Sequence, residues 1–201
     1  MTSSFLALGD SYTIGEGVAE ADRWPVRLAA RLRLAGIEVA DPRIIARTGW
    51  TTDELLAAIA ADGVSGRWDL VTLLAGVNDQ YRGHGLDRYR ASFGGLLDQA
   101  LGFAKLPSRL IVLSIPDWGV TPFSDGRDKT AIGREIDNFN AAARDMALKV
   151  GARVLDVTPT SRLAARDRTL LAADGLHPSA GMYQKWVDAL LPVATDALSA
   201  S

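Results

Sequence analysis

The sequence contains no cysteine among its 201 residues. This absence excludes disulfide bonds, a thiolate nucleophile and any zinc site built on thiolates. Histidine is scarce as well, because His84 and His177 are its only two occurrences and they lie far apart in the chain. Two separated histidines do not make a ligand cluster. We therefore expect neither a metal nor a cofactor at the functional site.

Long apolar runs are missing too, and neither sign of charge dominates. No uncharged apolar segment approaches the roughly 20 residues that span a bilayer. The start Met1-Thr2-Ser3-Ser4-Phe5 lacks the basic and apolar regions of a signal peptide. The net charge of −2 gives no reason to expect nucleic acid or an anionic membrane as a partner. We predict a cytoplasmic protein that acts on a small molecule, with its oligomeric state left open.

Short apolar segments alternate with amphipathic ones along the whole chain, which predicts one α/β domain over residues 1–201. Five segments have the length and apolar character of buried parallel strands, namely residues 5–8, 43–46, 70–74, 110–115 and 153–157. Helical spacing follows over residues 25–34, 52–61, 89–101, 132–150 and 182–198. Right-handed crossovers then place helices on both faces of a five-stranded parallel sheet.

Local signals mark the ends of some of these elements. Thr51-Thr52-Asp53-Glu54 has the pattern of a capping box at a helix start. Pro192 is expected to kink or shorten the last helix. Residues 116–128, rich in glycine, proline and aspartate, form a long irregular segment that is a candidate pocket wall.

Polar residues follow the predicted strands at the edge where open α/β sheets bind their ligands. Four blocks lie there: Gly9-Asp10-Ser11, Thr48-Gly49-Trp50, Gly76-Val77-Asn78-Asp79 and Asp174-Gly175-Leu176-His177-Pro178. Serine, histidine and aspartate are the parts of a nucleophilic hydroxyl, its general base and the group that orients the base. The order of these residues in the chain is unimportant, because such triads are defined by geometry.

The four blocks, in this order, resemble those of the SGNH hydrolases, also called the GDSL esterase/lipase family. Gly9-Asp10-Ser11 is similar to the family's serine block, and Asp174 to Pro178 to its DxxH block. One departure is Tyr12, because leucine is the commoner residue at that place. The resemblance implies a three-layer α/β/α sandwich of flavodoxin-like type. It also implies a serine esterase that hydrolyses carboxylic esters. We expect its substrates to be short acyl or acetyl esters.

The resemblance assigns a role to each block. Ser11 is the nucleophile, His177 its general base and Asp174 the residue that orients the base. The backbone N–H groups of Ser11 and Gly49 and the side-chain amide of Asn78 form the oxyanion hole. These roles suit the residue types, because a serine hydroxyl needs a base to remove its proton, and imidazole titrates near neutral pH.

Other residues have less specific patterns. We expect Asp10 to be structural and His84 to lie solvated in a flexible polar loop. Trp50, Trp118 and Phe123 either line the acyl pocket or pack elsewhere. The mixture of aspartates, arginine and few apolar residues in segment 116–128 favours short acyl chains over long ones. Three further tryptophans are predicted to be packing residues: Trp24, Trp68 and Trp186.

Several rival functions fit the sequence less well. A nucleotide-binding module is disfavoured because Gly9, Gly15 and Gly17 do not have G-x-G-x-x-G spacing. A non-catalytic relative would lack a triad or oxyanion residue, and none is missing here. Among enzymes, hydrolysis of esters, thioesters or acetylated sugars and acyl transfer all stay open, because a fold does not decide between them.

Overall fold

The computed structural model describes residues 2–200, which build one parallel sheet of five strands. The strands are β1 (Phe5–Gly9), β2 (Arg43–Ala46), β3 (Leu70–Leu74), β4 (Leu110–Leu113) and β5 (Arg153–Leu155). Their order across the sheet is β2-β1-β3-β4-β5, which is the flavodoxin-like doubly wound order. The predicted fold class is confirmed.

The central strands are continuous apolar runs because both of their faces are covered. Every residue of β1, β3 and β4 is buried, as expected for a parallel sheet between two helical layers. The two edge strands, β2 and β5, are partly exposed instead. Burial therefore follows the position of each strand in the sheet.

Helices cover both faces of the sheet. They are α1 (Ser11–Ile14), α2 (Trp24–Leu34), α3 (Thr52–Asp62), α4 (Val77–Tyr81), α5 (Leu86–Phe103), α6 (Lys129–Lys149), α7 (Thr158–Ser161) and α8 (Ala180–Ser199). On one face α2 packs against α8, and on the other α5 packs against both α3 and α6. The result is a three-layer sandwich. Within residues 2–200, no helix has the length and apolar character needed to cross a membrane.

Two strands end earlier than the sequence predicts. β4 ends at Leu113 and β5 at Leu155, two residues short of the predicted ends in each case. Beyond these ends, side chains replace the neighbouring strand as hydrogen-bond acceptors for the backbone amides. Ser114 Oγ accepts a hydrogen bond from the Val157 amide (2.8 Å). Likewise Asn140 Oδ1 accepts from the Ile115 amide (2.7 Å). The ladder stops where these side-chain bonds begin.

Of the two sequence signals for helix ends, one is confirmed and the other does not end its helix. The capping box at Thr51 is present, with Thr51 accepting from the Glu54 amide and Glu54 accepting from the Thr51 amide. Pro192 does not shorten the last helix, which continues through it to Ser199. The position of Pro192 is therefore tolerated within α8.

The strand order reverses between β1 and β3, and this crevice is where doubly wound sheets bind ligands. Gly9, the last residue of β1, is paired with Leu74, the last residue of β3. The segments that follow β1 and β3 consequently leave the sheet side by side. Each enters a short helix within a few residues, α1 after β1 and α4 after β3.

Candidate active site

A cavity of about 140 Å³ lies at this carboxyl edge of the sheet. All four sequence blocks contribute to it, so residues from widely separated parts of the chain meet there. The lining residues are Ser11, Tyr12, Thr48, Gly49, Val77, Asn78, Tyr81, Trp118, Phe123, Leu176 and His177. A larger cavity of about 230 Å³ lies beside β4, β5 and α6. It contains none of the four blocks, so we place the chemistry in the smaller cavity.

Ser11 is presented by a sharp turn from β1 into α1. A Cβ atom on Gly9 would lie 2.1 Å from the Thr13 Oγ1 atom and 2.6 Å from the Leu74 carbonyl oxygen, so the turn requires glycine. Asp10 caps the helix by accepting a hydrogen bond from the Tyr12 amide (3.0 Å). Ser11 is thus the first residue of α1, with 5% of its surface exposed. Its backbone N–H donates to no partner within residues 2–200.

His177 and Asp174 form a closely bonded pair. Nδ1 of His177 lies 2.6 Å from Oδ2 of Asp174, while Oδ1 accepts from the amides of Leu176 (2.9 Å) and His177 (3.0 Å). Partial burial works to raise the pKa of Asp174, but these hydrogen bonds outweigh it and lower the pKa below its ordinary value. An ionised Asp174 holds the proton on Nδ1, which leaves Nε2 as a proton acceptor.

Ser11 and His177 line the same cavity without a direct hydrogen bond. Among the described residues, the His177 ring has Asp174 as its only hydrogen-bond partner. Catalytic hydrogen bonds are often long in ligand-free enzymes and shorten when substrate binds. A serine hydroxyl and an imidazole that line one cavity are the parts of a nucleophile and its base.

Three N–H groups point to the binding of a negatively charged oxygen. The Gly49 and Ser11 amides both lack a partner within the described part of the chain. Asn78 uses one of its two side-chain N–H bonds to donate to the Trp50 carbonyl oxygen (2.8 Å), so the other is available. All three residues line the cavity. Free donors that line one cavity are the groups that can stabilise an oxyanion.

Gly49 is required for a different reason from Gly9. Its φ angle is +87°, a left-handed conformation that favours glycine. Space is not the constraint, because the nearest atom to a Cβ at this position would be the Arg82 Nη2 atom, 3.9 Å away. The requirement for glycine at position 49 is therefore one of backbone conformation.

One wall of the cavity is aromatic. Trp118 is 3% exposed, and its indole N–H donates to the Gln80 side-chain oxygen (2.8 Å), which fixes the ring. Tyr81 and Phe123 pack against Trp118, with ring centroids 5.4 and 5.9 Å from its own. The guanidinium of Arg127 lies 4.9 Å from the centre of the Tyr81 ring. The wall is thus apolar, and its rings are held in place by these contacts.

The aspartates of segment 116–128 do not face this cavity. Asp117 pairs with Arg162 (2.8 Å), Asp125 pairs with Lys129 (2.7 Å), and Asp128 caps α6. The segment presents Trp118 and Phe123 to the cavity instead. The segment therefore does form part of the cavity wall, but its charged side chains serve caps and ion pairs, so its overall composition does not describe the surface that faces the cavity.

Of the two alternatives left open for three aromatic residues, lining the cavity holds for Trp118 and Phe123, whereas Trp50 packs elsewhere. The Trp50 ring is partly buried against the hydrophobic core, and its backbone carbonyl is what contacts Asn78. Tyr12 also lines the cavity, with its ring centroid 5.5 Å from that of His177. The remaining tryptophans pack in or against the core: Trp24, Trp68 and Trp186.

His84 differs from its sequence interpretation. Its side chain is only 16% exposed, and Nδ1 lies 3.4 Å from Oδ1 of the buried Asp79. The prediction of a solvated loop residue was wrong, because helix α4 ends just before it and turns the ring back onto Asp79. Within residues 2–200, no three histidine, aspartate or glutamate side chains gather as metal ligands would.

Asp10 is a buried carboxyl group beneath the serine. It is fully buried, and its Oδ2 atom has no hydrogen-bond partner among the described residues. Burial raises the pKa of Asp10 from 3.8 to about 7, helped by the nearby charge of Asp79 and opposed by the hydrogen bond from the Tyr12 amide. Asp10 thus has the structural role that the sequence suggested, as a helix cap with an unusually basic carboxylate.

The family model for GDSL-like lipases and acylhydrolases matches residues 7–185, which include all four blocks. No curated protein matches the chain in sequence.

Solved structures are similar over nearly the whole chain. The psychrotrophic esterase EstA from Pseudoalteromonas sp., inhibited by monoethylphosphonate, has a TM-score of 0.76 at 16% identity, over 98% of this chain and 100% of its own. A member of the lipolytic G-D-S-L family from Veillonella parvula has a TM-score of 0.74 at 18% identity, over 96% and 98%. The acetylxylan esterase Axe2 from Geobacillus stearothermophilus has a TM-score of 0.70 at 17% identity, over 99% and 95%. At these identities the likeness shows the fold.

The raised pKa of Asp10 makes stability depend on pH. The folded state favours the neutral acid, so the contribution of Asp10 to stability is complete below pH 3.8 and is lost as the pH rises through about 7. Asp10→Asn is neutral at every pH and keeps an oxygen that caps α1. We expect the Tm of this variant, relative to that of the wild type, to increase by roughly 5 °C as the pH is raised from 5 to 9, measured by thermal unfolding.

The matched control is Asp128→Asn, which changes an exposed cap of α6. Its Tm difference from the wild type should not grow with pH, because that charge is solvated. A constant difference for Asp10→Asn across the same range would contradict the buried, titrating carboxyl.

Proposed function

Because the chain belongs to the GDSL-like lipase/acylhydrolase family and is by that membership a carboxylic ester hydrolase, we propose that it acts through an acyl-enzyme on Ser11. The observation that carries the proposal is the 2.6 Å contact between His177 and Asp174 in a cavity that Ser11 also lines. Nucleophile, base and orienting acid then have the roles of a serine-hydrolase triad.

In the first half of the reaction, Ser11 Oγ attacks the carbonyl carbon of the ester while its proton passes to Nε2 of His177. Asp174 stabilises the imidazolium that forms, because hydrogen bonds favour its ionised state. The bond from the carbonyl carbon to the alcohol oxygen then breaks, and His177 returns the proton to the leaving alcohol. The acyl group is left as an ester of Ser11.

In the second half, water attacks the acyl-enzyme. His177 takes a proton from the water and returns it to Ser11 Oγ as the acid leaves. In both halves the carbonyl oxygen becomes negative, and the amides of Ser11 and Gly49 with the Asn78 side chain bind it. Loss of one such donor typically costs about 2.7–4 kcal/mol in the transition state.

The proposed substrates are esters of short acyl groups, from acetyl to butyryl. The cavity of about 140 Å³ is small compared with the roughly 300 Å³ or more of pockets that hold drug-sized ligands. The fixed Trp118 ring gives one wall little freedom to move. Acetylated sugars fall within this class, and Axe2 is by its name an acetylxylan esterase. A cytoplasmic location stays part of the proposal, compatible with the lack of cysteine.

The two histidines provide the test of the triad. His177→Ala should lower kcat/KM for p-nitrophenyl acetate by about 10³-fold or more, because Ser11 then has no base. His84→Ala should stay within a few-fold, because His84 contacts Asp79 outside the cavity lining. Both variants are measured alongside thermal unfolding, which separates lost chemistry from lost folding. Equal losses in two folded variants would contradict the assignment of the base.

Acyl length tests the proposed substrate class. We expect kcat/KM for p-nitrophenyl esters of two to twelve carbons to be highest from acetyl to butyryl and to fall beyond, because longer chains do not fit the cavity. A long apolar tunnel would instead add about 0.8 kcal/mol for each buried methylene. The esters are kept below their aggregation limits. A maximum at eight carbons or more would favour a lipid substrate.

A further inference from the structure

The loop that carries Gly49 is held by hydrogen bonds from helix α4 and its end. Arg82 Nη2 donates to the Gly49 carbonyl oxygen (2.6 Å), and Asn78 Nδ2 donates to that of Trp50 (2.8 Å). The Thr52 amide and hydroxyl donate to Asp79 (2.9 and 2.8 Å). We call these contacts the loop clasp. Three residues of one short segment thereby fix three residues of another.

The loop clasp connects two segments that the sheet does not connect directly. Gly49 follows β2 and Asn78 follows β3, and these strands are not neighbours because β1 lies between them. No ladder hydrogen bonds therefore set the distance between the two proposed oxyanion donors. A displacement of about 1 Å at a reacting centre can cost 10²-fold in rate. The contacts of the clasp link the Gly49 loop directly to the segment that carries Asn78.

The members of the clasp differ in burial. Asp79 and Thr52 are fully buried, so changing them disturbs folding as well as position. The Arg82 side chain is 45% exposed, and besides Gly49 it contacts Glu54 (3.2 Å). An exposed ion pair of this kind contributes only about 0–1 kcal/mol to stability. Arg82 can therefore be changed with the fold retained.

We propose that Arg82 is a positioning residue for ester hydrolysis, which holds the Gly49 peptide in the geometry that the oxyanion requires. The inference rests on the proposed oxyanion role of Gly49 and Asn78. Arg82 itself does not line the cavity, so it acts through Gly49 and makes no contact with the substrate. Its removal should weaken binding of the transition state and leave binding of the ground state almost unchanged.

The test is Arg82→Ala, measured with p-nitrophenyl acetate. We expect kcat to fall about tenfold, KM to stay within twofold and Tm to change little. Arg82→Lys should recover part of the rate, because one ammonium can still donate to the Gly49 oxygen. Addition of guanidinium chloride at tens of millimolar should raise the kcat of Arg82→Ala and leave the wild type unchanged.

The matched control is Arg88→Ala. Arg88 forms a comparable exposed ion pair with Asp53 (3.4 Å) and makes no hydrogen bond to the Gly49 loop. Its kcat should equal that of the wild type. If Arg82→Ala behaves like Arg88→Ala, or changes KM alone, the positioning role is overturned.

Asn78→Ala distinguishes failure of this inference from failure of the proposed function. Its kcat should fall by about 10²–10³ if Asn78 is an oxyanion donor. A normal Asn78→Ala would overturn the oxyanion hole and the positioning role together. A strong loss in Asn78→Ala with none in Arg82→Ala would overturn the positioning role alone.

Discussion

The pairing of β1 with β3 is the constraint on which the site depends. Gly9 and Leu74 end these strands at the same level, so the chain after each one enters the crevice where the strand order reverses. Ser11 and Asn78 are placed there by buried apolar strands, whose register is fixed by the sheet ladder and by packing on both faces. The proposed chemistry needs precise placement of a few atoms, and the buried central strands of the sheet provide it.

Buried polar groups around this crevice also position the segments of the site through hydrogen bonds, and their burial costs some stability. Asp10 and Asp79 are both fully buried, one beneath the serine and the other beneath the loop of Gly49. Asp10 caps α1 and keeps one oxygen without a partner. Asp79 binds Thr52 through two hydrogen bonds. Departures from ideal burial of this kind are expected where a fold serves a functional site.

Much of this arrangement could be predicted from the sequence, because strands, helix caps and the four blocks are local patterns. The capping box at Thr51 and the strand that ends at Leu74 are read directly from neighbouring residues. The contact of Arg82 with Gly49 could not be predicted, since these residues are 33 apart in the chain and meet only when α4 packs against the Gly49 loop. The contact of His84 with Asp79 depends in the same way on how the chain folds back after α4. The aspartates of segment 116–128 illustrate the same limit: composition predicts polarity, and only packing decides which side chains face the cavity.

The most direct test of the account is the identity of the activated serine. A fluorophosphonate probe reacts with a serine only when a base and an oxyanion site activate it. We expect labelling of the wild type at one residue, placed on Ser11 by peptide mapping, and none in a folded Ser11→Ala variant. Labelling that persists in Ser11→Ala, or that maps to another serine, would contradict it.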